Sequence, residues 1–411
     1  MPCSDWLYAR IDTFRKATSL ESRDKLRNMK NLFAEPLVLA PHRILPTKSH
    51  PIESSTHNPT HLIVGAGLAG CLLAWRLQQA GQRFLLIGSS TMPSAFDVAA
   101  GVINPVTGRW MTKTWNFDHL LPIAEATYRS IEQALGLQIY HPIPEIRFCQ
   151  NADDVKRVGR RLRNPRYQNV LSQSYAPGVA APDFNDSHGS FRIEQAAYVD
   201  LPELVNALRR AFAKLGLFRN EAFLHSKLKP IPAGWQYDEL QTQQVVFCEG
   251  AAVADNPWFK DLPLQPAKGE TLLCQSPTLQ LPRTLYHHKK WLLPYPDGSF
   301  RIGATYDEAD LTATPTEARK EELLAAIHAA LKASHEIQVT RHLAGIRPST
   351  ADNRPIIGPH PTEKGLYLLN GLGSKGASTA PTMTHQLAEY ILKSIPIDPE
   401  VDIRRFSAST T

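Results

Sequence analysis

Cysteine is scarce in this 411-residue chain, and the five cysteines are too far apart to form a framework. There is no CxxC pair and no cluster of cysteine with histidine; the five are Cys3, Cys71, Cys149, Cys248 and Cys274. We therefore expect neither a disulfide-stapled fold nor a metal site, and we expect a reducing, cytoplasmic location. The sequence also lacks an apolar run of about 18 residues, which excludes an integral membrane segment.

Neither basic nor acidic residues dominate the composition. Lysine and arginine number 45 against 39 acidic residues, which gives a net charge of +6 and a pI near 9.0. This mildly basic balance permits contact with an acidic partner but does not require one. Hydrophobic residues make up 43% and charged residues 20% of the chain, as in globular proteins, so a disordered protein is excluded. The chain is longer than a single hydrophobic core usually supports, so two domains are expected.

Residues 1–58 differ from the rest of the chain. They are interrupted by several prolines and have no sustained apolar period. A secretory hydrophobic segment is missing, and Asp5, Asp12, Glu21 and Asp24 argue against a transit peptide, which is poor in acidic residues. We expect residues 1–58 to form a peripheral or disordered extension, and a targeting segment is the alternative.

From residue 61 the sequence has the pattern of a strand, a glycine turn, a helix and a second strand. Apolar residues at 61–64 and 84–87 predict the strands, and leucines at helical spacing from Leu68 to Leu77 predict the helix. The turn reads GxGxxG, in which glycines allow a tight turn, approach of a pyrophosphate and close helix packing. The helix N-terminus favours phosphate. The unit predicts a dinucleotide site at Gly65, Ala66, Gly67, Leu68, Ala69 and Gly70.

The second strand lacks the acidic residue that commonly ends such a unit and holds the adenosine ribose. It ends in Ile87, Gly88, Ser89 and Ser90. We expect Ser89 or Ser90, or a bridging water, to contact the ribose instead. No lysine or arginine follows before Arg109 to pair with a 2′-phosphate, so NADP is not favoured.

Later apolar patterns predict further helices and strands. Helices are expected over 117–135 and 201–212, and a third begins at Thr314-Pro315 and reaches Leu331. Strands are expected at 245–248, 271–274, 291–293, 300–304 and 366–369. This order predicts an α/β fold with a Rossmann-like dinucleotide domain and a second domain that can be interleaved with it in sequence.

Four later segments, taken in order with the glycine turn, resemble the D-amino-acid oxidase superfamily of FAD-dependent oxidoreductases, the glycine and sarcosine oxidases in particular. They are AAGVINPVTGRW (99–110), VVFCEGAA (245–252), GIRPSTADNRPIIG (345–358) and GLYLLNGLGSKGASTAPTMTHQLAEYIL (365–392). The resemblance covers roughly residues 60–395 and implies an FAD domain of the glutathione-reductase type interleaved with a mostly antiparallel β-sheet substrate domain. It assigns 59–105, 191–261 and 343–395 to the FAD domain, 106–190 and 262–342 to the substrate domain, and 396–411 to a C-terminal tail.

The resemblance also implies which residues hold FAD. The late glycine-rich loop would lie at the pyrimidine edge of the flavin, and the last helix is expected to begin near Thr379 or Ala380. The N–H groups of that helix and the Lys375 cation would stabilise an anionic reduced flavin; a solvated surface lysine is the alternative. No cysteine follows Cys274, which favours non-covalent FAD. Beyond the first turn, the FAD residues are Ser89, Ser90, Ala100, Gly101, Gly250, Gly371, Gly373, Ser374, Lys375 and Gly376.

In relatives that oxidise amino acids, the arginine of the GxRP segment binds the substrate carboxylate. The resemblance assigns this role to Arg347, whose planar fork suits bidentate binding, and a structural pair with Asp352 is the alternative. Arg347 and Lys375 form the predicted catalytic set, and Asn104 is a further substrate or flavin contact. Basic candidates for the pocket wall, or for the surface, are Arg109 and Lys113.

The implied reaction oxidises the C–N bond of a small amino acid or secondary amine. A hydride would pass to flavin N5, the imine would hydrolyse, and O2 or another acceptor would reoxidise the flavin. Two alternatives stay open: a flavin-binding subunit without turnover, and an enzyme acting on RNA. The late loop is also similar to that in the FAD domain of the bifunctional protein that matures the wobble uridine of tRNA, where a carboxymethyl group is removed.

A basic segment bears on the RNA alternative. Its six basic residues are Lys156, Arg157, Arg160, Arg161, Arg163 and Arg166, and the phosphate backbone of a nucleic acid attracts such a segment. A solvated helix face next to Asp153 and Asp154 explains the six basic residues equally well. A nucleic acid partner is therefore not favoured over a small amine.

Overall fold

The computed structural model describes residues 58–91, 94–332 and 335–409. The predicted N-terminal extension, apart from its last residue, lies outside the described residues. The α-helices in the described ranges are α1 (Leu68–Gln79), α2 (Ala95–Val98), α3 (Phe117–Leu135), α4 (Ala152–Leu162), α5 (Leu201–Lys214), α6 (Glu317–Ala330) and α7 (Gly376–Lys393). No helix in this part of the chain has both the length and the apolar character to cross a membrane.

The strands of the described ranges form two main sheets and three small ones. They are β1 (His61–Val64), β2 (Phe84–Ile87), β3 (Val102–Ile103), β4 (Val106–Thr107), β5 (Thr112–Lys113), β6 (Tyr140–Pro142), β7 (Glu145–Phe148), β8 (Leu171–Tyr175), β9 (Ser190–Ile193), β10 (Ala197–Val199), β11 (Phe218–Arg219), β12 (Leu228–Ile231), β13 (Gly234–Tyr237), β14 (Leu240–Thr242), β15 (Gln244–Phe247), β16 (Ala267–Gln275), β17 (Leu285–His287), β18 (Trp291–Pro294), β19 (Phe300–Gly303), β20 (Gln338–Arg347), β21 (Ile356–Pro359) and β22 (Leu366–Asn370).

The first main sheet has six strands in the order β11-β2-β1-β15-β22-β21. All neighbours are parallel except β21, which is antiparallel to β22. Parallel strands are apolar on both faces because both faces are covered. Ile63 and Val246 face the core under α1, α5 and α7, whereas Leu62 and Val245 face the core beside β13. The predicted Rossmann-like domain is confirmed.

The second main sheet has eight strands in the order β20-β16-β19-β18-β17-β7-β9-β8. Its neighbours are antiparallel except for β17 and β7, which confirms the prediction of a mostly antiparallel sheet. Apolar side chains on one face pack against Leu323 and Ile327 of α6. The exact domain boundaries given above stay a prediction.

The opposite face of the antiparallel sheet meets the segment that follows α2. The Arg301 guanidinium donates to the carbonyls of Val98 and Ala99 over 3.3 and 3.2 Å. Thr271 Oγ1 donates to the same Val98 carbonyl over 3.4 Å. The antiparallel sheet therefore contacts the end of α2 directly before Ala100, one of the residues predicted to lie beside the flavin.

The predicted start of the last helix was wrong by about one turn. The helix begins at Gly376, although Pro381 lies inside it and cannot donate to the carbonyl four residues earlier. That carbonyl belongs to Ala377, and it accepts a hydrogen bond of 2.6 Å from the Tyr128 hydroxyl of α3. Because the tyrosine hydroxyl replaces the missing N–H, the helix can begin at Gly376, before the predicted start near Thr379 or Ala380.

The predicted start of α6 was also too early. The helix begins at Glu317 and not at 314, because the N–H and hydroxyl of Thr316 donate to the buried Glu270 carboxylate over 2.9 and 3.1 Å. Helix α5 agrees with its prediction: Asp200 caps it by accepting from the Glu203 N–H over 3.0 Å.

A buried ion cluster connects β16 to the segment before α6. Lys268 is 1% and Glu270 0% exposed. The Lys268 ammonium contacts Asp310 at 2.5 Å and Glu270 at 3.3 Å, and Glu270 also lies 2.7 Å from His342 Nε2. Removal of the lysine would leave two carboxylates beside each other without their cation.

We predict that Lys268→Met lowers the free energy of unfolding by about 3–5 kcal/mol, because a buried charge loses its partner. The matched control is Lys320→Met, whose half-exposed lysine pairs with Glu317 at 2.9 Å and should contribute less than about 1 kcal/mol. Urea unfolding of the holoprotein measures both. Equal losses for the two variants would contradict this account of the cluster.

Candidate functional site

The first glycine turn leaves no room for side chains between β1, β15 and α1. Gly65 has φ +101°, and a Cβ there would overlap the Cys248 carbonyl; a Cβ at Gly70 would overlap the Gly65 carbonyl. Gly67 is open, with only Phe96 within 4.0 Å. Gly67 makes no side-chain cap of α1, so the first N–H groups of this helix are available to phosphate oxygens.

Gly88 stands where an acidic residue commonly holds a ribose, and the structure explains why glycine is present. A Cβ at Gly88 would lie 2.5 Å from the Ala66 nitrogen and 2.8 Å from its Cβ. The nearby Ser89 hydroxyl contacts Thr91 Oγ1 at 2.8 Å, and the Ser90 N–H donates to Asn220 over 2.8 Å. The role of the two serines toward a ribose stays a prediction.

The late loop lies against both the first turn and the GxRP segment. Asn370 donates to the Gly250 carbonyl over 2.8 Å, and the Gly373 N–H donates to the Pro348 carbonyl over 3.1 Å. A Cβ at Gly376 would contact Leu68 of the first turn at 3.4 Å. The structure thus brings together the predicted residues Gly250, Gly371, Gly373, Ser374 and Gly376.

Ala100 and Gly101 lie beside β10, a strand of the small sheet β3-β10-β6. Gly101 has φ +65°, and a Cβ at this position would overlap the Val199 carbonyl of β10. Its own carbonyl accepts from the Val199 N–H over 3.0 Å. Small residues therefore let the chain pass closely beside β10 where the resemblance expects the flavin ring.

Lys375 is a partly buried cation at the start of α7. Within the described ranges its ammonium group has no hydrogen-bond or ion-pair partner. Burial, together with the neighbouring Arg354 guanidinium, lowers the pKa of Lys375. A half-buried ammonium without a counter-ion, at a helix N-terminus, suits an anionic group.

Arg347, at the end of β20, is held by backbone carbonyls. Its two terminal nitrogens donate to the carbonyls of Lys268 and Thr305, each over 3.1 Å, and its guanidinium lies 5.7 Å from the Tyr306 ring. The alternative pairing with Asp352 is wrong, because Asp352 accepts from Arg405 over 2.9 Å. Burial lowers the pKa of Arg347, which an anionic ligand would offset.

The remaining predicted residues do not join Arg347. The Asn104 amide donates to the buried Glu145 carboxylate and accepts from the Val106 N–H over 2.9 Å, so both of its polar ends contact the protein, and a substrate contact stays a prediction. Lys113 pairs with Asp118 at 2.6 Å. Arg109 is exposed and lies beside the Trp110 ring.

Several residues at the site were missed from the sequence. Gly269 lies directly under the Arg347 guanidinium, and Tyr306 lies beside it. An isolated glycine in an apolar strand is a signal of close approach by another group, and 271–274 was predicted as a strand that began after it. Glu249 was a possible dinucleotide contact from the sequence, whereas its partner His225 was missed. Glu249 bonds His225 Nε2 and Asn256, each at 2.7 Å, and the bond between Glu249 and His225 raises the pKa of His225.

Fold and site define an α/β protein built to bind a dinucleotide at two glycine turns, with an arginine on the adjoining antiparallel sheet. The family model described as "FAD dependent oxidoreductase" (DAO) matches residues 61–390. The chain therefore belongs to the DAO family of FAD-dependent oxidoreductases, and its cofactor is FAD. The open turn at Gly67, the free helix N-termini and the Lys375 cation fit this anionic dinucleotide.

Individual relatives agree with this assignment. The chain is 26% identical to the glycine oxidase of Pseudomonas aeruginosa over 361 residues, which covers 82% of this chain and 96% of that protein. It is 36% identical over 154 residues to the tRNA 5-methylaminomethyl-2-thiouridine biosynthesis bifunctional protein MnmC of Marinobacter nauticus, 35% of this chain and 24% of that protein. The crystal structure of glycine oxidase from Geobacillus kaustophilus superimposes with a TM-score of 0.73 at 20% identity, covering 84% and 97% of the two chains, and this shows a shared fold.

We predict that Gly88→Ala weakens FAD binding at least about tenfold, or about 1.4 kcal/mol. The added methyl would press on the Ala66 nitrogen and displace the turn that is predicted to hold the pyrophosphate. Titration of apoprotein with FAD, followed by flavin fluorescence, measures the affinity. Gly81→Ala is the control: Gly81 has a positive φ, +68°, which disfavours alanine, but the space around it is open, so stability falls while FAD affinity stays. Wild-type affinity in Gly88→Ala would contradict the prediction.

Proposed function

We propose that this protein oxidises the C–N bond of a small amino acid or a secondary amine that carries a carboxylate. The observation that carries the proposal is the Arg347 guanidinium. Of its five N–H donors, two bind backbone carbonyls. Among the described residues no acidic side chain pairs with it, so its other donors are available to a carboxylate.

The cofactor would supply the hydride acceptor, and the chain would supply binding and orientation. The two glycine turns would hold the pyrophosphate and the ring, and Arg347 would fix the substrate carboxylate so that its Cα–H faces the ring. Lys375 would offset negative charge at the pyrimidine edge. The amine would bind in its neutral form, which needs no side-chain base.

We further propose that FAD is bound without a covalent link and that dioxygen takes up the electrons. The four described cysteines, Cys71, Cys149, Cys248 and Cys274, are buried. Burial raises the pKa of the Cys149 thiol to about 11 and that of Cys274 to about 12, so neither forms the thiolate that a thioether link requires.

Relatives named for oxidising an amino acid, such as glycine oxidase, support the proposed substrate class, a small amino acid.

Anaerobic mixing with a panel of amines tests the proposal. We expect glycine, sarcosine, a D-amino acid or proline to bleach the flavin absorbance, and methylamine and dimethylamine, which lack the carboxylate, to do so poorly. Arg347→Ala should raise KM for the carboxylated substrate about 30- to 1,000-fold, corresponding to roughly 2–4 kcal/mol for a buried charge pair.

Arg210→Ala is the matched control for this prediction. Arg210 is an exposed arginine of α5 that pairs with Glu203 at 2.8 Å, so KM should stay at the wild-type value. An unchanged KM in Arg347→Ala would remove the carboxylate role of Arg347. Absence of bleaching by every member of the panel would contradict the proposed function itself.

A second candidate substrate is a modified base in tRNA, and a surface beside β4 and β5 favours it. Trp110 is 55% exposed, with the guanidinium groups of Arg109 and Arg157 at 4.8 and 5.0 Å from its ring. Arg161 donates to the Trp110 carbonyl over 3.3 Å. We call this the Trp110 surface. The 36% identity with MnmC over 154 residues supports it.

The exposed basic residues next to the Trp110 surface allow a direct test. Replacing Lys156, Arg160, Arg163 and Arg166 by glutamate should abolish tRNA binding and its salt dependence, since phosphate contacts supply most of this affinity. Arg157 and Arg161 are kept, because they donate to carbonyls of the hairpin formed by β4 and β5, which carries Trp110. Fluorescence anisotropy with tRNA at two salt concentrations measures the effect, and glycine or sarcosine oxidation is the control. Unchanged tRNA binding, or none in the wild type, would overturn the second candidate.

A further inference from the structure

The Arg347 side chain lies flat over the backbone of the neighbouring strand. Arg347 is paired with Ala267 in the β16–β20 ladder, and its side chain extends over Gly269. A Cβ at Gly269 would overlap the guanidinium carbon and both terminal nitrogens. The arginine can therefore occupy this position only because residue 269 has no side chain.

The segment beside Gly269 completes the seat of the guanidinium. Asp307 exchanges two backbone hydrogen bonds with Lys268, 2.7 and 3.0 Å long, and the Thr305 N–H donates to the Glu270 carbonyl over 3.1 Å. This pairing places the Thr305 carbonyl within 3.1 Å of Arg347. Strand β16 and the 305–307 segment thus present one carbonyl each to the guanidinium.

The strand under the arginine is firmly held. It lies between β19 and β20, and on its other face Lys268 and Glu270 belong to the buried ion cluster with Asp310. Side chains alternate between the faces of a strand, so the cluster and the guanidinium lie on opposite sides of the same three residues. A side chain added at Gly269 would therefore move the guanidinium and not the strand.

We propose that Gly269 is a positioning residue for the substrate carboxylate. By lacking a side chain, it fixes the Arg347 guanidinium on the carbonyls of Lys268 and Thr305 with its remaining donors directed away from the strand. The inference rests on the proposed function, in which those donors bind the carboxylate. A methyl group at 269 moves the guanidinium by about 1 Å or more, and a misplacement of this size costs about 100-fold in rate.

The variant Gly269→Ala tests the proposal with glycine and sarcosine as probes. We expect KM for the oxidised amino acid to rise about 10- to 100-fold, while the FAD affinity, measured by fluorescence titration, stays at the wild-type value. The double variant Gly269→Ala/Arg347→Ala should have the same KM as Arg347→Ala alone, because the methyl then has no guanidinium to displace. Additive effects in the double variant would overturn the inference.

Gly345→Ala is the matched control, since Gly345 pairs directly with Gly269 but a Cβ there would contact Val98, 3.0 Å away, and not Arg347. The effect of Gly345→Ala on KM should add to that of Arg347→Ala.

If Gly269→Ala does not fold, the double variant Gly269→Ala/Arg347→Ala should restore folding and FAD binding, because alanine at 347 vacates the space. If the single and the double variant both fail to fold, the proposal is contradicted. An effect of Arg347→Ala without one of Gly269→Ala would sink this inference and leave the proposed function intact. No effect of Arg347→Ala would remove both.

Discussion

Backbone packed directly on backbone at the carboxyl ends of the parallel strands is the constraint on which the rest of the structure depends. Gly65 meets the Cys248 carbonyl, and Gly88 meets Ala66, too closely for any Cβ. Helix α1 is thereby drawn onto the strand ends with no side chain between them. Its first N–H groups then have no partner in the helix and no side-chain cap, and a phosphate group is the ligand that satisfies them.

Local patterns in the sequence predicted much of this fold, because most of its elements follow local rules. The turn from Gly65 to Gly70 and the strands on both sides of it are specified within one short unit. The start of α7 was missed because its cause is distant: Tyr128, which completes the hydrogen bonding around Pro381, is 249 residues from Ala377. The start of α6 likewise depends on Glu270, which is 46 residues from Thr316.

The site was predictable to the extent that single motifs carry it. The motifs pointed to the glycine turns and to Arg347, because glycine and arginine have few substitutes in the roles proposed for them, and those roles stay a prediction. Gly269 and the Thr305 carbonyl were not, since their importance arises from the register of β16 against β20 and the 305–307 segment, which the sequence does not encode locally. For Asn104 the sequence predicted a contact with substrate or flavin. In the structure its amide donates to Glu145, a residue that no motif marks.

The two sheets divide the work of the site in a way that bears on both candidate substrates. The segments that follow the parallel strands contribute backbone groups, glycines and Lys375, whereas the antiparallel sheet contributes Arg347. A carboxymethylamino group on a tRNA base and a molecule such as sarcosine are both secondary amines with a carboxylate, so the same arginine would serve either.

What separates the two candidate substrates lies outside the Arg347 seat. The hairpin that carries Trp110 is fixed to the antiparallel sheet by Arg147, which donates to the carbonyls of Val106 and Gly108 over 3.3 and 2.7 Å. Arg147 is adjacent to His287 in the β7–β17 ladder, and His287 in turn to Trp291. One row of paired residues in the antiparallel sheet therefore runs from Arg147, next to the Trp110 hairpin, to Gly303 and Thr271. Thr271 is two residues from Gly269, on which the Arg347 guanidinium lies.

A polyanion bound at the Trp110 surface would lie at one end of this row and the oxidised amine at the other. A small amino acid would use only the arginine end, and the contribution of the Trp110 surface to catalysis is what distinguishes the two.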